Sequence, residues 1–269
     1  MRQRFVTLPA GRFHLCEWGD PGDPALLLLH GFNQTGHSWS EIGPLVSGHH
    51  VVALTQRGHG DSMRSGERDY GREAMIGDVQ SLVDHFEWAR VHVVGMSMGG
   101  GNATGFAART PERTRTLCVV DYAPETEREG VDEIKRILMA RWSSFDEAVE
   151  QVRRFNPRRT EDNIRRRLGH TIEEKSDGSW SWKVDLAFAD QPRFFDPAST
   201  MWDVAAQVAC PALVVRGGES NVLSAENAER LRDTFAEGRL VTVQGAGHSV
   251  PGDNPKAFAR PLVEHIATG

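Results

Sequence analysis

Val91-His92-Val93-Val94-Gly95-Met96-Ser97-Met98-Gly99-Gly100-Gly101, running on into the small-residue segment 102–109, is the stretch on which the fold turns. Residues 91–96 form a continuous apolar, β-branched run, the pattern of a strand buried on both faces. Small, unbranched residues with helical potential follow Ser97. A strand that runs directly into G-x-S-x-G and then into a helix is a nucleophile elbow, where the serine sits on a sharp turn and the flanking positions must be small enough for strand and helix to approach. Ser97 Oγ then stands at the positive end of the following helix, where developing negative charge is favoured.

Outward from this stretch the same alternation repeats. Short apolar runs at 13–18, 26–29, 51–54, 116–121, 212–216 and 240–243 read as strands. Between them, 72–88 places Met75, Val79, Leu82, Val83 and Phe86 on one helical face, Ser224 opens a second helix, and 255–266 forms a third. Strands alternating with amphipathic helices predict an α/β fold: a mostly parallel sheet, eight-stranded in type, covered by helices on both faces. The alternation breaks between Pro124 and Val208. That region is rich in Arg and Glu and shows helical patterns at 131–142, 145–155 and 160–170, then an aromatic stretch, Trp180-Ser181-Trp182-Lys183. The expected division is a core of residues 1–123 and 209–269 with a helical cap, 124–208, inserted after the strand ending at Asp121. Trp142, Trp180 and Trp182 are candidates for an apolar pocket under the cap, against the alternative of ordinary packing.

Two further motifs complete a candidate site. Leu29-His30-Gly31-Phe32 follows a buried strand, and acyl transfer needs two backbone N–H donors for the developing oxyanion. The amides of Met98, directly after the nucleophile, and of Phe32 are the candidates, with the His30 side chain bracing the loop. Gln244-Gly245-Ala246-Gly247-His248-Ser249 follows the last strand, and a histidine in such a turn can reach across the sheet edge to a serine. Among the 11 histidines, His248 combines this position with the chain order serine before histidine.

Taken together, His30-Gly31-Phe32, Arg57-Gly58-His59-Gly60-Asp61-Ser62, Gly95-Met96-Ser97-Met98-Gly99 and Gly247-His248 resemble the α/β-hydrolase superfamily over almost the whole chain, and are particularly similar to its esterase, lactonase and carbon–carbon hydrolase branches. In the R-G-H-G-D-S stretch, Arg57 and Asp61 are expected to pin a loop near the elbow. An aspartate at the elbow would suggest an epoxide hydrolase or a haloalkane dehalogenase, and Ser97 counts against both. The resemblance implies a third triad member, a carboxylate that orients the imidazole. In the similar subgroup R-G-x-x-S is followed by Asp, but here Arg216-Gly217-Gly218-Glu219-Ser220 is followed by Asn221. Three readings stay open: Asp121 as the acid from the preceding strand, Glu219 reaching with its longer side chain, or Asn221 in the acid position of a weakened enzyme.

The expected activity is hydrolysis of a small-molecule ester, lactone or thioester through an acyl-enzyme. A carbon–carbon hydrolase, a cofactor-free perhydrolase and a slow-turnover ligand sensor are the alternatives. No cofactor and no metal are implied, since H-x-x-E-H, C-x-x-C and phosphate-cradling glycine loops are missing. A net charge of -6 argues against nucleic acid as a partner. The longest apolar run, residues 25–29, is too short to span a bilayer, and without a leader-like segment the expected location is the cytoplasm. Cys16, Cys118 and Cys210 are odd in number and widely spaced, so buried thiols rather than a disulfide framework are expected. Monomer and homodimer are both left open.

Overall fold

The computed structural model describes residues 1–127, 136, 139–188 and 197–269. Its centre is an eight-stranded sheet in the order β1-β2-β4-β3-β5-β6-β10-β11. The strands are β1 (Arg2–Leu8), β2 (Gly11–Trp18), β3 (Ala25–Leu29), β4 (His50–Leu54), β5 (Val91–Met96), β6 (Thr114–Val120), β10 (Ala212–Gly217) and β11 (Gly238–Val243). The β1–β2 hairpin joins β4 antiparallel, and from β4 to β11 every pairing is parallel. The expected mostly parallel sheet is therefore present.

Strand β3 shows why the sequence folds this way. All five of its residues are buried, because alternate side chains enter opposite layers. Leu27 and Leu29 join the layer built by α1 (Arg72–His85), α2 (Met98–Arg109), α5 (Ala198–Ala205) and α6 (Ala225–Thr234). Leu26 and Leu28 join the opposite layer, with Trp39, with Val250 of α7 (Val250–Asp253) and with Phe258 and Leu262 of α8 (Pro255–Ile266). Helix α1 stops at His85, earlier than the periodicity suggests, and Glu87 takes a left-handed φ of 54° that turns the chain away.

Between β6 and β10, α3 (Phe145–Phe155) and α4 (Glu161–Thr171) are each opened by a hydroxyl cap: Ser144 Oγ accepts from the Glu147 amide and Thr160 Oγ1 from the Asn163 amide. A three-stranded antiparallel sheet accompanies them, ordered β7 (Arg141–Trp142), β9 (Trp180–Trp182), β8 (Ile172–Glu174). The helix expected over 131–142 falls largely outside the described residues. At its end Arg141 and Trp142 are extended, not helical, because they pair with Ser181 and Trp180. Trp142, Val149, Ile164, Leu168 and Trp182 make a separate apolar cluster that rests on Tyr70 and Met98. Helix α5 differs: its Trp202 and Ala205 belong to the layer beneath the main sheet, so this part of the expected insertion packs with the core.

Candidate active site

The site follows from strand order. β5, β6 and β10 are neighbours and parallel, so their carboxyl ends open onto one edge, the usual place for ligands in such sheets. Ser97 follows β5, Asp121 follows β6, and His248 lies beyond β11. The Ser97 amide donates to Val120 O at 2.9 Å and the Asp121 amide to Val215 O at 2.7 Å, so each turn is tied to the adjacent strand.

Ser97 has φ 52° and ψ -118°, a conformation few side-chain-bearing residues adopt. Two close approaches hold it there. A Cβ on Gly95 would lie 2.1 Å from Gly99 O, and one on Gly99 would lie 2.4 Å from Leu29 O. Only glycine fits at either position, and the elbow expected from the sequence is the result. Met98 is the first residue of α2, where helix geometry offers its amide no acceptor one turn back.

His248 Nε2 lies 3.1 Å from Ser97 Oγ, and Nδ1 lies 2.7 Å from Asp121 Oδ2. Of the three candidate acids the structure brings Asp121 to the imidazole. Asp121 is fully buried. Its Oδ1 accepts from the Gly217 amide at 3.0 Å, and its Oδ2 accepts from Ser220 Oγ at 2.5 Å as well as from His248. A buried carboxylate without such donors would be costly, so this set of partners keeps Asp121 an acceptor. With Nδ1–H donating to Asp121, Nε2 is left to accept from the serine hydroxyl.

Glu219 is not at the histidine. Its carboxylate is held by Arg158, whose Nε donates to Oε2 at 2.9 Å. Asn221 lines the cavity next to the site. The residue that sequence reasoning missed is Ser220, the serine of R-G-x-x-S. It lies between two of the three positions weighed as acids, and its hydroxyl donates to the carboxylate of Asp121, beyond the neighbouring strand.

His30 is fully buried and braces the following loop: its Nδ1 donates to Gly31 O at 2.8 Å and its Nε2 accepts from the Gln56 amide at 2.9 Å. Burial pushes its pKa well below the ordinary histidine value, which keeps this ring neutral. Arg57 and Asp61, the pair expected to pin a loop near the elbow, take different partners. Arg57 grips Asp78 of α1 through two bonds of 2.6 and 2.7 Å, while Asp61 pairs with Lys183 at 3.1 Å.

The site opens into a cavity of about 370 Å³ lined by Ser97, His248, Phe32 and Trp182 among others. Of the three candidate tryptophans, Trp182 reaches the cavity; Trp142 packs edge-on against it at 5.2 Å, and Trp180 against Phe145 at 5.4 Å. Arg158, Arg159 and Arg167 also face this space, which the apolar-pocket expectation did not foresee.

A family model for the alpha/beta hydrolase fold matches residues 24–255. The chain belongs to the α/β-hydrolase family. An esterase of Mycobacterium tuberculosis is 26% identical over 259 residues, covering 93% of this chain and 84% of that protein. An sn-1-specific diacylglycerol lipase of Mus musculus is 27% identical, covering 93% and 83%. The crystal structure of the same M. tuberculosis esterase superposes with a TM-score of 0.81 at 25% identity, covering 100% of this chain and 91% of that one. Among the described residues of this α/β hydrolase, no helix is long and apolar enough to cross a membrane.

Proposed function

We propose that this α/β hydrolase cleaves carboxylic esters of small acids through an acyl-enzyme. The observation that carries the reading is the unbroken line from Asp121 Oδ2 through the His248 ring to Ser97 Oγ, at 2.7 and 3.1 Å. The esterase and lipase names of the relatives support the same chemistry. His248 Nε2 takes the Ser97 proton as Oγ attacks the carbonyl carbon, and the carbonyl oxygen gains its charge facing the Phe32 and Met98 amides. Protonated His248, its charge balanced by Asp121, returns the proton to the departing alkoxide. Water, deprotonated by the same imidazole, then attacks the acyl-serine, and Ser97 leaves with its proton restored. The same attack would open a lactone or a thioester. In this reading the helices and strands of 124–208 that overlie the edge form a cap and set the pocket.

A fluorophosphonate probe, applied to the native protein and to Ser97→Ala, tests the nucleophile. Adduct formation on the native chain alone is expected, and its absence overturns the reading. A panel of short ethyl esters, vinylogous diketones and acetate with peroxide separates the esterase from a carbon–carbon hydrolase and from a perhydrolase. Ester turnover is the expected result.

A further inference from the structure

The cavity beside the catalytic line carries a concentration of charge in its wall. Three guanidinium groups line it, Arg158, Arg159 and Arg167, against two carboxylates, Glu219 and Asp253. Each carboxylate already has an arginine: Arg158 holds Glu219, and Arg159 Nε donates to Asp253 Oδ1 at 2.9 Å. The second pair is almost wholly buried, and Asp253 Oδ2 also accepts from the Gly247 amide, one residue before His248. These two pairs join the α3–α4 loop to the segment around the catalytic edge.

Arg167, on α4, is left with little. Among the described residues its hydrogen bond runs from Nη1 to Ser38 O at 3.3 Å, and the carboxylate nearest to it, Glu41 Oε2, stands 3.6 Å away. Glu41 is shared: its other oxygen accepts from Arg166 at 3.0 Å and from Asn163. A guanidinium carries five N–H donors, so most of the donors of Arg167 have no acceptor among the described residues. It also faces a like charge. A Cβ on Gly252 would lie 2.6 Å from Arg159 Nη2 and 3.0 Å from Arg167 Nη1, so two cationic groups converge on one glycine. Burial, followed by the repulsion of Arg159, pulls the pKa of Arg167 down to about 9. A desolvated cation of this kind is stabilised by an anion that brings its own acceptors.

We infer that the substrate of this site carries a free carboxylate beside the ester, bound at the cavity wall by Arg167 with Arg159 behind it. The inference rests on the hydrolytic reading of Ser97 and names its substrate class. A planar carboxylate accepts two parallel N–H bonds from one guanidinium, a geometry that fixes the ester relative to Ser97 as well as holding it. The remaining wall, with Trp182, Ile164 and Leu168, accommodates the carbon chain between the two groups.

The test compares kcat/KM for monoethyl succinate, glutarate and adipate with ethyl butyrate, pentanoate and hexanoate, and includes acetoxyacetate to place the charge on the alcohol side. The native enzyme is expected to favour the charged member of at least one pair by about tenfold or more, the scale of a charge-assisted hydrogen bond. In Arg167→Leu and Arg167→Gln this ratio is expected to collapse, chiefly through KM. It stays intact in the control Arg260→Leu, whose side chain is 85% exposed on α8. A preference for acetoxyacetate puts the carboxylate in the leaving half of the same pocket and upholds the proposal. A native enzyme that favours the neutral ester in every pair and ethyl acetate over acetoxyacetate, or a preference that survives both substitutions, overturns it. Calorimetric titration of glutarate into Ser97→Ala, with and without Arg167→Gln, keeps the two readings apart. If no ester is hydrolysed in a Ser97-dependent way, the hydrolytic reading fails, and calorimetry alone then decides this proposal: Arg167-dependent binding upholds it, and no binding overturns it.

Discussion

Ser220 Oγ donates to Asp121 Oδ2 at 2.5 Å, the same oxygen that stands 2.7 Å from His248 Nδ1. A hydroxyl on the loop after β10 thus fixes a carboxylate at the end of β6, at a residue whose own φ is 48°. The strained backbone aims Asp121 toward the histidine, and Ser220 with the Gly217 amide keeps it there.

Replacing Asp121 and Asn221 separately separates their roles. Asp121→Asn is expected to lower kcat on a short ester by about 10³–10⁴-fold, because an amide favours the wrong imidazole tautomer and gives the imidazolium no counter-charge. Asn221→Ala is expected to change kcat by less than about fivefold. Ser220→Ala should fall between, at roughly three- to thirtyfold, since it frees the carboxylate without removing it. Steady-state kinetics on the three purified variants checks the order. Full turnover in Asp121→Asn removes Asp121 from the mechanism.

Two glycines predict opposite changes in stability. Gly99→Ala drives a methyl to 2.4 Å from Leu29 O and 2.6 Å from His30 O, a collision with backbone that the elbow cannot relieve. Loss of the folded protein, or a drop of roughly 3 kcal/mol or more, is expected. Gly77, within α1, has nothing within 4 Å of its ideal Cβ. Gly77→Ala should add about 0.5–1 kcal/mol, raising Tm by roughly 1–3 °C, because it removes unfolded-state freedom at a half-buried helical position where the added methyl meets open space. Thermal melts followed by circular dichroism read both. A melting point lowered by Gly77→Ala would contradict this account of α1.

The strand-to-helix elbow was legible from residues because its cause is local: Gly95 and Gly99 must be small, and the apolar run before Ser97 must be buried on both faces. His248 was legible from its place after the last strand. The carboxylate that reaches the imidazole was not, since three positions were open and only the assembled sheet edge brings Asp121 Oδ2 to His248 Nδ1. Asp78 as the partner of Arg57 was not legible either, since it lies on a helix that sequence spacing does not bring near. The pocket arginines were invisible as a group, because Arg159 and Arg167 converge through the crossing of α4 against the segment around Gly252, a contact no periodicity encodes.

The three cysteines should behave as inert core residues. Burial raises Cys16 to about 12 and Cys210 to about 11, and Cys118 higher still. The thiolate is the reactive form, so at pH 8 its fraction is very small at each site. Titration with Ellman's reagent is expected to find no thiol within minutes in the native protein and all 3 in guanidinium chloride. A rapidly reacting native thiol would show that one of these strands opens on that timescale.

Acid stability should be governed by buried histidines before carboxylates. Burial lowers His59 to about 4 and His92 to about 4, against about 6.5 for the unfolded chain, with Arg64 adding to the first and His49 and Arg115 to the second. A lowered histidine pKa means that the unfolded state binds the proton more readily than the folded one. Stability is therefore intact above pH 6.5 and falls as pH drops from 6.5 toward 4, by about 1.4 kcal/mol per pH unit for each such histidine. Urea midpoints between pH 7.5 and 5 should decline accordingly, above the range in which most carboxylates titrate. His92 donates to or accepts from Thr116 Oγ1 at 2.9 Å near the start of β5, at the end of the strand remote from Ser97. His92→Gln can keep that contact without a titrating ring, so it should flatten the decline by about one proton's worth. An unchanged slope in His92→Gln would mean that this ring is protonated equally in both states.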